Sequence, residues 1–312
     1  MLLRKFFKYL IFIFFAPLVF LINFLKPFKE IKFYKIGSNR IGPFITSIEM
    51  IMYSREKINE IKNSKIIYYF DKTISNDQIE IMAKRYLSVS SNYTFYNLLC
   101  KAIFFWKKNK NHIIEDDYFY LPNILKIAPK WYKESKTYLH FTPEEKKRGF
   151  KLLDDLGIKN ESKWICIQNR DSSYLDKFFP KQGSPKFGGD WSYHNYRDFS
   201  VKSLQLAAEF FASKGYYVLR VGKTVKETLN TKNSKIIDYA NSKLRSDFAD
   251  IFLLSNCKAY FGGSSGIESV PEVYKIPKYN VNYPSTDITK TTQICPWRFI
   301  FKRTTNLSLL VQ

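Results

Sequence analysis

Short apolar runs alternate along this chain with longer stretches of helical spacing. Residues 31–36 read as a strand and run into Gly37-Ser38-Asn39-Arg40-Ile41-Gly42-Pro43. A helical pattern follows through Ile45, Ile48, Glu49, Met52 and Tyr53. Residues 65–70 predict a second strand, 76–84 a helix and 95–107 an aromatic-rich helix. The stretch 109–138 lacks clear periodicity and holds Pro122 and Pro129, so a domain boundary is expected there. Thr142-Pro143-Glu144-Glu145 then opens a helix with a capping residue, a proline at its first position and a glutamate at its third. That helix is expected to stop at Gly157.

The second half alternates more regularly. Residues 163–168 form a buried-type strand, 200–214 an amphipathic helix ended by Gly215, and 216–221 the next strand, ended by Gly222. A helix over 247–255, capped by Asp247, precedes a strand over 258–261, a short helix and a strand over 278–281. Repeated strand–helix units imply parallel, doubly wound α/β sheets. The expected organisation is two Rossmann-like domains, 29–140 and 141–312, behind a hydrophobic membrane segment at 1–28.

Within that opening segment, residues 9–25 read YLIFIFFAPLVFLINFL, uniformly apolar apart from Tyr9 and Asn23. The run is about as short as a spanning helix can be. Arg4, Lys5 and Lys8 precede it, and Lys26, Lys29, Lys32 and Lys35 follow. No small-residue cleavage site closes it, so a removed signal peptide is not expected. Two membrane modes stay open, a spanning anchor and a helix bent near Pro17 lying in the interface. A buried core helix is the bland alternative.

Charge sharpens the picture. Fifty Lys+Arg against 28 Asp+Glu give a net charge of +22. Nucleic acid, anionic lipid and a phosphate-bearing substrate all suit such a surface. The lysines are spread along the chain, and no zinc finger, RNA-binding aromatic signature or basic zipper appears, so no specific nucleic acid is expected. Cys100, Cys166, Cys257 and Cys295 lie far apart and read as buried free thiols of a reducing compartment.

Candidate chemistry gathers where strands end. Gly262-Gly263-Ser264-Ser265-Gly266-Ile267-Glu268 follows an apolar strand and opens a helix. Its glycines let backbone approach a ligand, and the helix start offers free N–H groups to an anion. Ser265 and Glu268 also have capping-box spacing, so the segment could simply start a helix. The strand at 163–168 ends in Asn169-Arg170-Asp171-Ser172-Ser173-Tyr174, and the next in Gly222-Lys223 with Arg220 just inside. Two arginines, a lysine and a phosphate-type loop thus fall along one rim, a set suited to a diphosphate. Each of these cations also has an ordinary structural reading. A long connection carries Asp190-Trp191-Ser192-Tyr193-His194-Asn195-Tyr196-Arg197-Asp198. His194 could be a general base, a ligand to a sugar or phosphate oxygen, or a loop-packing residue. Asp198 could equally cap the next helix, and capping is the stronger reading for Asp247 and Asp250. No DxD-type pair sits at a strand end, so no metal is expected.

Four blocks in order carry a resemblance: Arg170-Asp-Ser-Ser-Tyr174, His194-Asn-Tyr-Arg-Asp198, the run from Gly215 to Lys223, and Gly262-Gly-Ser-Ser-Gly266 followed by Pro271 and Pro277. They resemble a family of bacterial surface-polysaccharide glycosyltransferases, similar in outline to the GT-B fold and distantly to GDP-fucose-using fucosyltransferases. The resemblance spans roughly residues 30–285 and is densest over 165–285. It implies a glycosyltransferase with a nucleotide-sugar donor, GDP-sugar favoured, held by the C-terminal domain, and no further cofactor. The donor-side residues are then Arg170, Ser172, Tyr174, Tyr196, Arg197, Arg220, Gly222, Lys223, Gly263, Ser264, Ser265, Gly266 and Glu268, with His194 and Asp171 as catalytic candidates. Asn39, Arg40 and Gly42 fall on the acceptor side, the acceptor being a glycan or lipid-linked sugar at an anionic membrane surface. The implied location is the cytoplasmic face of the bacterial inner membrane, reached through residues 9–25. In the family a His usually follows the segment matching Arg40-Ile41-Gly42, where this chain has Pro43, and the chain ends early for a GT-B enzyme. Those two departures motivate an inactive scaffold subunit as the alternative, with a membrane-tethered nucleic-acid binder as a further one.

Overall fold

The computed structural model describes residues 2–57, 65–107, 113–114, 131, 136–159, 161–181, 183 and 189–282. It divides into two compact units, Met1–Asp155 with Ser246–Ser255, and Leu156–Arg245 with Asn256–Gln312. Most of the expected boundary at 109–138, together with Cys295, lies outside the described residues.

The first unit holds a sheet of β1 (Ile31–Ile36), β2 (Lys65–Phe70), β3 (Val89–Ser90) and β4 (Ile113–Ile114) in the order β3-β2-β1-β4. Every pairing is parallel, with Ile31 opposite Lys65 and Ile36 opposite Phe70. Around it run α1 (Leu2–Leu25), α2 (Ile41–Lys57), α3 (Asp77–Tyr86), α4 (Tyr93–Lys107) and α5 (Pro143–Asp155). Phe15, Val19 and Ile22 of α1 share a core with Phe33, Tyr69, Leu99, Ala102 and Ile103. Local chemistry sets the helix starts. Asn76 accepts the Ile79 N–H at 3.0 Å. The capping box of α5 closes in both directions, Thr142 N–H to Glu145 at 2.9 Å and Glu145 N–H to Thr142 Oγ1 at 3.2 Å. Gly157 ends the segment after α5 at φ 74°. The fully buried Glu49 on α2 accepts the N–H groups of Tyr138 and Leu139 at 2.9–3.1 Å, which pins the chain ahead of α5.

α8 (Asp247–Asn256) begins differently from expectation. Its cap is Ser246, whose Oγ accepts the Ala249 N–H at 3.1 Å. Asp247 already lies inside the helix, and its carboxylate accepts the first N–H of α3, Asp77, at 3.1 Å. One acid thus serves the start of a different helix.

The second unit holds β5 (Trp164–Gln168), β6 (Tyr217–Arg220), β7 (Ile236–Ile237), β8 (Ala259–Gly262) and β9 (Lys278–Asn280), in the order β7-β6-β5-β8-β9 and parallel throughout. β5 is central and buried along its whole length, as its unbroken apolar run requires. α6 (Ser173–Phe178), a 3-10 turn at Val201–Leu204, α7 (Gln205–Ser213) and α9 (Ser269–Val273) complete it. One face of the sheet is filled by Ile165, Ile167, Val201, Leu204, Ala208, Phe211, Val218 and Phe261. From β5 the chain builds outward through β6 and β7, then returns to place β8 on the other side of β5. The order therefore reverses between β5 and β8, the position where such sheets open a crevice beyond their carboxyl ends.

Candidate functional site

The ends of β5 and β8 carry the residues that matter. β5 runs out through Gln168 into Asn169 and Arg170, and β8 runs out into the Gly262–Gly266 loop. The Gly263 N–H donates to the Gln168 carbonyl at 3.2 Å, which holds the two exits side by side. A Cβ on Gly263 would stand 2.6 Å from the Phe199 ring and 3.5 Å from Arg170 Cβ. Only glycine lets this backbone pass the Phe199 ring so closely. The Ser265 hydroxyl donates to Gln168 Oε1 at 3.1 Å, and so does Tyr260 OH. The capping box that Ser265 and Glu268 could have formed is thus not made on the serine side. The loop is instead pinned from below by Gln168, a residue that sequence reasoning passed over although a polar side chain closing a fully buried strand is a signal. Ser264 and Ser265 precede the 3-10 turn Gly266–Glu268, where helical geometry leaves early N–H groups without internal acceptors.

Two arginines face this loop. Arg170 is buried and ion-paired with Asp198. Arg197 sends Nη1 to the Ser264 carbonyl at 3.3 Å, and its Nε is buried without a hydrogen-bond partner. Burial, with the neighbouring Arg197 adding to it, pulls the Arg170 guanidinium down to about 10, so it stays charged at neutral pH. The Asp198 alternatives resolve toward the ion pair. Helix capping falls to Ser200, whose Oγ accepts the Lys202 N–H at 3.2 Å.

Glu268 lies behind the loop with Lys278 at 3.7 Å, and Lys278 also meets Glu272 at 3.0 Å. Burial pushes the Glu268 carboxyl up to about 7, aided by Glu272 and opposed by Lys278 and Arg197. Carboxylates surround these cations: Asp198, Asp171 and Asp176 on the Arg170 side, and Glu268 and Glu272 on the Lys278 side. The Arg197 Nε, buried without a hydrogen-bond partner, stands beside a loop that offers backbone N–H groups. An arginine fork beside loop N–H groups is a geometry suited to an oxyanion.

Other predicted residues have different work. Arg220 is fully buried and its guanidinium is shared between Asn169 Oδ1, at 3.0 and 3.3 Å, and Asp238 Oδ1 at 3.1 Å. It ties β6 to β5 and does not extend the cationic rim. Asp171 accepts the Ser173 and Lys226 N–H groups at 3.0 Å each and the Ser173 hydroxyl, and its charge also acts on Arg170. This makes it a clasp between two loops. Ser172 is buried, bonded to Asp176 and to Lys226 Nζ. Gly222 is required where a Cβ would come within 2.8 Å of Val225. Lys223 reaches over the Phe178 ring, and Tyr174 packs on Phe178 and Phe179. His194, in the 3-10 helix Ser192–Arg197, stacks on Trp191 with centroids 5.9 Å apart and meets the tilted Tyr193 ring at 4.1 Å. Trp191 in turn donates to the Phe179 carbonyl at 2.8 Å. The long connection is thus an aromatic clasp at His194 and an ionic one at Arg197 and Asp198. Tyr196 is exposed beside Arg197.

In the first unit, Asn39 and Arg40 stand at the turn from β1 into α2, with Arg40 exposed and Gly42 buried in the first helical turn. Pro43 sits in that same turn, where its missing N–H breaks no helical bond. Buried Ser38 fixes the turn by donating to the Thr73 carbonyl at 2.9 Å. Among the described residues, no group of three or more His, Cys, Asp or Glu is arranged to hold a metal.

No family model and no curated protein matches the chain. Solved structures do. The crystal structure of a glycosyl transferase family 9 protein from Veillonella parvula DSM 2008 aligns with a TM-score of 0.51 at 12% identity, over 87% of this chain and 86% of that one. The E. coli ADP-heptose lps heptosyltransferase II aligns with a TM-score of 0.47 at 14% identity, over 86% and 90% of the two chains. At such identity the likeness is one of fold, a mixed α/β architecture with parallel sheets of the GT-B-like glycosyltransferase type.

Proposed function

We propose that the protein is a glycosyltransferase that takes a sugar from a nucleoside-diphosphate donor held at the β5–β8 exit. One observation carries the reading: Arg170 and Arg197 flank the Gly262–Gly266 loop at the reversal point of a parallel sheet, with the buried Arg197 Nε lacking a hydrogen-bond partner. The loop amides and Arg197 take the diphosphate oxygens, while Arg170, clamped by Asp198, supplies fixed positive potential. Both stabilise the negative charge that grows on the departing diphosphate as the sugar transfers. No metal is needed for that step in this reading. The acceptor, a glycan or lipid-linked sugar, meets the first unit near Asn39 and Arg40, at the cytoplasmic face of a bacterial inner membrane.

Asp171 and His194 are spoken for by loop and ring contacts. Their commitment, with Pro43, favours one second reading, a donor-binding subunit without transfer activity. Calorimetric titration with ADP, GDP, UDP, CDP and dTDP tests the site itself. One nucleotide is expected to bind at micromolar affinity and to lose roughly tenfold or more in Arg197→Ala. Binding of none overturns the donor site. Binding without hydrolysis or transfer of the matching nucleotide sugar selects the second reading.

A further inference from the structure

α1 has two faces of different fate. Phe15, Val19 and Ile22 lie at helical spacing and are buried in the first unit's core. The opposite face is also apolar but exposed: Ile13 is 65% exposed, Phe14 77% and Phe24 71%, with Phe6 and Phe20 above half. α4 extends the patch. Trp106 packs on Phe12 and Phe20, with centroids 5.2 and 4.9 Å apart, and remains partly exposed with Phe104 and Phe105. A contiguous aromatic surface of this kind marks an interaction site. Its charge setting names the partner. Arg4, Lys5 and Lys8 stand before it and Lys26 and Lys29 after it, and no acid occurs before Glu30.

We propose that α1 lies in the plane of an anionic bilayer surface, its exposed face and the aromatic end of α4 sunk among the acyl chains, its flanking cations on lipid phosphates, and that it does not span. The apolar run Phe6–Leu25 is 20 residues, about 30 Å, so length alone permits spanning. Packing does not. Phe15, Val19 and Ile22 sit mid-run against β1, β2 and α4, so a spanning α1 would draw an open-edged sheet carrying Lys32 and Lys35 into hydrocarbon. An in-plane helix with Phe and Trp below and Lys at its ends keeps both the core and the headgroup contacts. The inference deepens the membrane association in the reading above and stands apart from donor binding, because its test reads no nucleotide.

The test uses the full chain with preformed sealed vesicles of phosphatidylcholine, with and without phosphatidylglycerol. Flotation is expected with the anionic vesicles. The Phe14→Asp/Phe24→Asp variant, altered only at exposed positions, should lose roughly tenfold or more of its partitioning while keeping its circular dichroism. The Lys26→Ser/Lys29→Ser variant should lose several-fold, and only on anionic vesicles. An impermeant maleimide added outside should label Leu2→Cys and Phe28→Cys equally, above the wild-type background. Labelling at one end alone overturns the in-plane arrangement in favour of spanning. Absence of flotation with either vesicle overturns the lipid partner. So does a concentration-dependent dimer that the Phe14→Asp/Phe24→Asp pair dissolves, which would identify a second copy as the occupant.

Discussion

Arg170 and Arg220 leave neighbouring strands of one sheet, both buried, and meet opposite surroundings. At the β6–β7 end, Arg220 spreads its guanidinium over the Asp238 carboxylate and the Asn169 amide oxygen. At the β5–β8 end, Arg170 has Asp198 but also Arg197, and the glycine loop is drawn tight beside them. A buried arginine is thus no evidence of a ligand by itself. What separates the two ends is whether the guanidinium hydrogen bonds are taken up: Arg220 gives Nε, Nη1 and Nη2 to protein acceptors, whereas the Arg197 Nε beside Arg170 has none. The β6–β7 end holds the sheet together, and the β5–β8 end is the one we propose for an anion.

The comparison breaks most visibly at Arg220. Arg220→Ala leaves Asp238 without its cation in a nearly closed site, and is expected to cost about 3–5 kcal/mol in a denaturant titration. Arg197→Ala should do the reverse, with little change in unfolding midpoint and a loss of about 1.5–3 kcal/mol in nucleoside-diphosphate binding by calorimetry. Glu268 sharpens the contrast through pH. Its folded carboxyl sits near 7 against an ordinary 4.5, so the native state holds an extra proton between those values. The stabilisation it gives is fully present below about 4.5 and is lost as pH rises through about 7. Urea titrations from pH 5 to 8 should show a fall of roughly 2 kcal/mol that Glu268→Gln flattens. Nucleotide affinity should fall over the same window, because ionised Glu268 competes for Arg197. Ser265→Ala should have the smallest effect, about 1 kcal/mol of stability from the lost bond to Gln168, read by thermal unfolding.

Much of the architecture was legible because its signals are local. Apolar runs at 31–36, 65–70 and 163–168 each became a strand, and the Thr142–Glu145 box closed as its spacing required. The two-residue strands β3, β4 and β7 have no period to read. The site was half legible. The glycine loop announced itself, but the division of labour between Arg170 and Arg220 rests on partners distant in sequence. Asp238 lies 18 residues from Arg220 and Asn169 lies 51 from it. Neither strand pattern nor spacing carries that information. The same limit hid the behaviour of α1, because hydropathy reports that a helix is apolar and not which of its faces the core has taken. Asp247 repeats the lesson: its capping role was read correctly in kind and assigned to the wrong helix.

Amide hydrogen exchange, with and without a saturating amount of the tightest-binding nucleoside diphosphate, tests the central distinction most directly. The account predicts added protection at 169–173 and 262–268, and none at 220–224 or 236–239. Protection at the Arg220 end, or none at the glycine loop, would contradict it.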